Sequence, residues 1–275
     1  MPAQSIFCMS RAPKTAAASR TSGRLDRLDA LRGLAMVWMT AFHFCFDLSY
    51  LGIWAQDFYR DPFWVWQRTA IVSLFLFCAG LAQAVALAQN VPWGRFLRRW
   101  GVVVACALAV SMGSYLMFPH SYIYFGVLHG MAVMLLMVRA WRGAPSWLLL
   151  AVAAIAIALP PVYRHMAGSL PPEWMQWLNG RAGSVLGLIT TKPRTEDYVP
   201  LLPWLGIMLL GFVAGRQWFS QASGSARAWW SRPATAGAVR LLAWLGRHSL
   251  PYYMLHQLVL LGGLMLVTQV LQLRH

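Results

Sequence analysis

The sequence predicts an all-α fold, a polytopic integral membrane helical bundle of about seven transmembrane helices, N-in and C-out. Three observations predict it. With 59% hydrophobic and 11% charged residues in a chain of 275, there is more apolar surface than one water-soluble core can bury. Apolar runs close to the roughly 20 residues that a helix needs to cross the hydrocarbon recur along almost the whole length. The basic residues gather between alternate runs, so the net charge of +15 reads as topology and not as a nucleic-acid surface.

Residues 1–24 are rich in Ser, Ala, Thr and Arg, hold no acid and lack a sustained apolar segment. They read as a disordered tail, or as the product of a start assigned too early, and not as a secretory signal. Residues 25–275 form the membrane domain. Its apolar runs fall at 33–53, 63–88, 102–118, 122–138, 146–162, 201–219 and 251–271. With the N-terminus inside, the inner segments carry sixteen Lys and Arg and the outer segments six, while Arg68 lies within a span. That asymmetry fits the positive-inside rule.

Most connections are short. The outer loop 164–200 is longer, with "PPEWMQWLNG" and the charged "TKPRTEDYVP", a length that suits a lid or acceptor-binding element as well as a plain linker. The inner loop 220–247 turns amphipathic at "AVRLLAWLGRHS", the pattern of an interfacial helix. Cys8, Cys45, Cys78 and Cys106 have no C-x-x-C spacing and read as small core residues.

The first span, "LRGLAMVWMTAFHFCFDLSYLG", carries an arginine, a histidine and an aspartate in a run greasy enough to cross a bilayer. Such groups cost a few kcal/mol each in hydrocarbon, so they tend to face inward and to be functional. At about 100° per residue, Arg32 and His43 lie within about 20° of each other around the helix, and Asp47 about 40° beyond. An imidazole with a carboxylate one turn away is a base-and-orienter pair, the acid fixing the tautomer as the ring accepts a proton. In the second span Arg68 either snorkels to the surface or meets an anion. His129 and Tyr122 lie near the outer edge of the fourth span, Asp197 where the sixth begins, and His256, beside Gln257, early in the last. A helix-to-helix hydrogen bond is the plainer role for His256.

No metal signature, no G-x-S-x-G elbow and no phosphate-binding glycine loop occurs. Acyl transfer suits the pattern, since basic inner residues can hold the CoA phosphates and a thioester needs only a positioned base or nucleophile. Proton-coupled transport of a small anionic solute would also use intramembrane His and Asp. A non-catalytic membrane protein glued by polar contacts is the third reading. Residue types alone do not separate these.

Five blocks narrow the choice: "RLDALRGLAMVWMTAFHFCFDLSYLG", "FWVWQRTAIVSLFLFCAG", "YIYFGVLHGMAV", "DYVPLLPWLGIMLLGFVAG" and "WLGRHSLPYYMLHQLVLLG". In this order they resemble bacterial members of the heparan-α-glucosaminide N-acetyltransferase catalytic-domain family, and the spacing "RGLAMVWMTAFH" resembles the opening of many membrane acyltransferases. The resemblance implies a multi-pass enzyme of the bacterial inner (plasma) membrane. It would take an acetyl or related acyl group from cytoplasmic acyl-CoA to a sugar hydroxyl or amine of an envelope glycan or glycolipid. The resemblance maps a motif arginine onto Arg32, the presumed catalytic position onto His43, and further site positions onto His129, Asp197 and His256. The residue pattern adds Asp47 as the acid that orients His43 in a catalytic pair, and Arg95, Arg98 and Arg99 beside Arg32 as holders of acyl-CoA. Arg68, Tyr122, His129, Asp197 and His256 would line the acceptor side. It implies no tightly bound cofactor and no metal, and is compatible with a homodimer. The lysosomal members carry a histidine before the second span, thought to take part in acetyl transfer. This chain has "AQDFYRDPFW" there, without one, which leaves His43 as the base.

Overall fold

The computed structural model describes residues 25–220, 230 and 235–272, and every regular element among them is helical. The tail expected over 1–24 and much of the inner loop lie outside the described residues.

Helix α1 (Asp26–Tyr50) starts with Asp26 and Asp29 in its first turn, where carboxylates meet unpaired amides at the positive end of the helix dipole. It closes in a turn where Gly52 takes φ +72°, a left-handed conformation that costs a side chain dearly. Asp61 caps α2 (Pro62–Ala88) by accepting from the Phe63 amide, and Pro62 occupies the first helical position, where no amide is needed. The chain continues through α3 (Trp93–Met117), α4 (Val127–Ala140) and α5 (Ser146–Met166). Two short helices, α6 (Pro172–Asn179) and α7 (Arg181–Ser184), give the long loop its own structure before α8 (Trp204–Ser220), α9 (Gly237–Arg247) and α10 (Ser249–Gln272).

Among the described residues four helices are long and apolar enough to cross a membrane: α2, α3, α5 with the turn that follows it, and α10. Seven such helices are expected from the sequence, and the difference has physical reasons. The 25 residues of α1 suffice in length, but His43 and Asp47 dilute its apolar run. The 17 residues of α8 and the 14 of α4 fall short of the roughly 20 that span the hydrocarbon. The fourth apolar run begins at 122, yet α4 begins at Val127 because side chains claim the intervening backbone. Ser114 Oγ accepts from the Ile123 amide at 2.9 Å, and Thr195 Oγ1 donates to the Tyr122 carbonyl at 2.9 Å.

The bundle is centred on α2 and α8, its most extensive helix pair, with α5 flanking α8 and α3 covering α4. Between apolar helices in lipid there is little hydrophobic gain, so close backbone approach through small residues does the work. A Cβ added to Gly80 would strike the Met208 carbonyl oxygen, and one on Gly211 the Phe77 carbonyl oxygen. The core around this crossing includes the fully buried Leu76, Met134, Met208 and Phe212. Cys78 is buried beside it, and it, Cys45 and Cys106 are free thiols.

Helix α1 stands to one side, against α2, α9 and α10. The amphipathic α9 crosses it at backbone contact: a Cβ on Gly33 would meet the Leu242 carbonyl oxygen, and one on Gly246 that of Asp29. Arg247 ties the crossing by donating to Asp26 at 2.9 Å. Leu241 and Trp244 remain exposed on the far face, the side an interfacial helix turns to lipid.

Candidate active site

Thr40, His43 and Asp47 recur at three- and four-residue steps on α1 and therefore share a face. Tyr252, His256 and Gln257 face them from α10. Tyr252 lies 2.6 Å from Thr40 through its hydroxyl, the rings of His43 and His256 stand 5.1 Å apart between centroids at 65°, and Gln257 Nε2 donates to Asp47 Oδ1 at 2.7 Å. The side chains thus form a ladder of three rungs between the two helices.

Several ladder atoms lack partners. His43 Nδ1, Asp47 Oδ2, His256 Nε2 and Gln257 Oε1 are all buried without a hydrogen bond. Leaving a buried polar atom unmet costs about 1–3 kcal/mol, and native proteins keep few of them. Concentrated in one patch of an apolar bundle, they mark a place where the fold forgoes stability.

No hydrogen bond joins Asp47 to His43, the ring that the sequence has it orient, and Asp47 Oδ2 is left without a partner. Its bonded oxygen is taken by Gln257 from the neighbouring helix, a contact between residues 210 apart in the chain. His256 is brought directly to His43, closer to the centre of the site than the acceptor-side position expected for it.

The remaining expected residues fall into separate groups. Arg32 lies near the start of α1 and pairs with Asp29 at 3.1 Å, while Arg95, Arg98 and Arg99 are exposed on the first turns of α3. His129 caps its own helix. Its Nδ1 accepts from the Gly126 amide at 3.3 Å, so the neutral ring carries its proton on Nε2 and donates it to Ser111 Oγ at 3.0 Å. Ser111 passes its own proton to the Ile123 carbonyl. Both ring nitrogens of His129 are therefore engaged in holding the loop before α4.

Asp197 Oδ2 accepts from the Val127 amide at 2.7 Å, capping α4, and from Tyr253 Oη at 3.4 Å. Burial raises this carboxyl above its ordinary value, against the pull of these donors. Tyr122 carries Arg181 over its ring at 5.2 Å. Arg68 acts on the long loop: burial first, and then the Arg68 charge, lowers Lys192, whose ammonium sits 4.8 Å from the centre of the Tyr59 ring. Tyr59 is itself raised by burial and by the Glu196 carboxylate.

Beyond the ladder, where α1 hands over to α2, a cleft of about 540 Å³ opens. Phe46, Tyr50 and Tyr59 supply aromatic faces and Ser49, Gln56 and Asp57 polar ones. Phe58 is buried at its base, 5.5 Å from the Phe42 ring, which lies 5.8 Å from His43. The cleft is thus separated from the imidazoles by aromatic rings.

Residues 24–258 match the family described as heparan-alpha-glucosaminide N-acetyltransferase, catalytic. The chain belongs to this family. The matched stretch contains every residue of the ladder, from Thr40 to Gln257, so the polar patch lies within the family's catalytic domain. Membership carries membrane acetyltransferase activity in general, in keeping with the long apolar helices. Nothing matches among curated proteins or among solved structures. Among the described residues no group of three or more His, Cys, Asp or Glu is placed to hold a metal.

Reading residues singly missed Thr40, Tyr252 and the role of Gln257. The signal was present in "YYMLHQ": a tyrosine one turn before a histidine shares its face, and here the two rings stack at 6.0 Å and 11°. Arg139 was also unassigned. It is buried between Trp93 and Phe96, 5.3 Å from each ring centre, and donates to the Val91 carbonyl.

Proposed function

We propose that this protein transfers an acetyl or related acyl group from cytoplasmic acyl-CoA to a sugar hydroxyl or amine of an envelope glycan or glycolipid, in the inner membrane of a bacterium. The observation that carries the reading is the unpartnered polar patch between α1 and α10, within the family's catalytic stretch. Substrate atoms arriving there would meet bare nitrogens and oxygens in a low-dielectric surrounding, where each hydrogen bond counts for more than in water.

In this mechanism His43 accepts the proton of the acceptor O–H or N–H. The acceptor lone pair forms a bond to the thioester carbonyl carbon, the C–S bond breaks, and the CoA thiolate takes the proton back from the imidazolium. The aromatic cleft supplies flat apolar faces together with a carboxylate and an amide, a combination suited to holding a pyranose ring of the acceptor away from its reacting group, which reaches His43 past the Phe42 ring. Arg95, Arg98 and Arg99 hold the CoA phosphates, joined by Arg32 on exchange of its partly exposed pair with Asp29. On this reading the starts of α1 and α3 face the cytoplasm, which the distribution of positive charge supports.

The test is to incubate the purified protein with radiolabelled acetyl-CoA and envelope extract. Label in glycan or glycolipid is expected. Solute flux without consumption of acetyl-CoA would establish the transport reading, and neither flux nor label would leave the polar ladder a structural device.

A further inference from the structure

The sequence offers Asp47 as the group that orients His43, and the structure gives Asp47 to Gln257, so the base lacks its expected partner. His256 fills that place. Its Nδ1 lies 2.7 Å from the Tyr253 carbonyl oxygen. A carbonyl only accepts, so Nδ1 carries the proton and the neutral ring is left with a bare lone pair on Nε2. That nitrogen is buried and has no partner.

The nearby hydroxyls spend their protons elsewhere, and Gln257 spends one of its two amide protons on Asp47. Thr40 donates to the Met36 carbonyl at 2.8 Å, so the 2.6 Å contact between Thr40 and Tyr252 must use the tyrosine proton. Tyr253 donates to Asp197, and Gln257 to Asp47. The group that remains is His43, whose buried Nδ1 is also without a partner and whose ring centre is 5.1 Å from that of His256. Each ring nitrogen lies just over an ångström from its ring centre, so with the centres 5.1 Å apart an N–H···N bond of about 3 Å forms once His43 turns its Nδ1 toward His256 Nε2.

We infer that His256 is the positioning residue of His43, accepting the Nδ1 proton of His43 on its own Nε2 and so presenting the Nε2 lone pair of His43 to the acceptor. When His43 takes the acceptor proton, the Nδ1–H of the resulting imidazolium stays bonded to a neutral imidazole that is itself locked to a backbone carbonyl. This is the part that a carboxylate plays in a Ser-His-Asp arrangement. It differs in adding no second charge to an apolar interior, where an unpaired carboxylate is costly.

The inference rests on the acyltransfer reading for its catalytic meaning, but its geometry is testable without activity. In the full chain with ¹⁵N-labelled histidine, ring shifts report which nitrogen of each imidazole is protonated, and loss of signals in His43→Ala assigns that residue. His43 is expected to hold its proton on Nδ1. His256→Gln places an amide oxygen where Nε2 was and should keep that tautomer, whereas His256→Leu should give a mixture or the opposite form. His129, fixed by Gly126 and Ser111, reports independently that each variant is folded.

In the transfer assay His256→Leu should lower kcat about 10- to 100-fold with KM for acetyl-CoA unchanged, and His256→Gln should recover most of the loss. A wild-type His43 protonated on Nε2, or His43 shifts unaltered in folded His256→Leu, would overturn the inference. Should His256→Leu fail to fold, the wild-type and His256→Gln tautomers decide alone. Wild-type protein that transfers no acetyl group would instead remove the acyltransfer reading and leave the tautomer result standing.

Discussion

Where α2 meets α8, glycines bring two backbones so close that a single added carbon would collide with a carbonyl oxygen. Where α1 meets α10, the helices are joined by hydroxyls, imidazoles and an amide, and four buried polar atoms are left without partners. The first contact spends its residues on fit and the second withholds that fit. Proteins commonly concede local stability where chemistry occurs. The contrast is what the proposed function rests on, since it singles out the α1–α10 contact without reference to any ligand.

The difference can be broken from either side. The largest effect is expected from His43→Ala, which should reduce acetyl transfer by about 100- to 10,000-fold while membrane insertion and thermal midpoint stay near wild type. Transfer assays and thermal scans on the same preparation read both; full activity in this variant would remove His43 from the mechanism. On the other contact, Gly211→Leu forces a side chain against the Phe77 carbonyl and should cost about 3 kcal/mol or prevent folding. Chemical denaturation in detergent measures it, and a stability equal to wild type would mean that the crossing is looser than described.

Between these lies Gln257→Leu, which strips Asp47 of its donor and leaves the carboxylate alone in an apolar setting. A loss of about 1–3 kcal/mol is expected, together with reduced transfer, because the ladder loses its upper rung. The smallest effect concerns pH. The folded-state pKa of Asp197 is raised, so the ionised form is disfavoured by folding, and its contribution is absent in acid and grows more unfavourable as pH climbs above about 3.9, the unfolded value. Asp197→Asn keeps an acceptor oxygen for Val127 and Tyr253, so the wild-type-minus-variant stability difference should decline as pH rises from about 4 toward neutrality. A flat difference curve would show that the carboxyl is not buried as described.

How much of this was legible in the sequence depends on distance along the chain. The apolar run at 63–88 becomes α2 almost residue for residue, and 146–162 becomes most of α5, because unbroken apolar periodicity is a local property. The run at 122–138 misled, since the side chains of Ser114 and Thr195 divert its first residues from helical bonding. In the site, the histidines of α1 and α10 were readable as residue types. Their pairing was not, because it joins positions more than two hundred residues apart, and hydropathy carries no information about which helix stands beside which. His129 was open to the opposite error. An intramembrane histidine invites a chemical role, yet its place three residues after Gly126 is that of a helix-capping side chain.

One oxygen atom of Asp197 serves two elements at once, the first amide of α4 and the phenol of Tyr253 on α10. A hinge with a single shared pin cannot be opened on one side only. Drawing the loop before α8 outward would uncap one helix and set loose the ring three positions ahead of His256, so mechanical disturbance on the surface reaches the imidazole pair through a path two hydrogen bonds long.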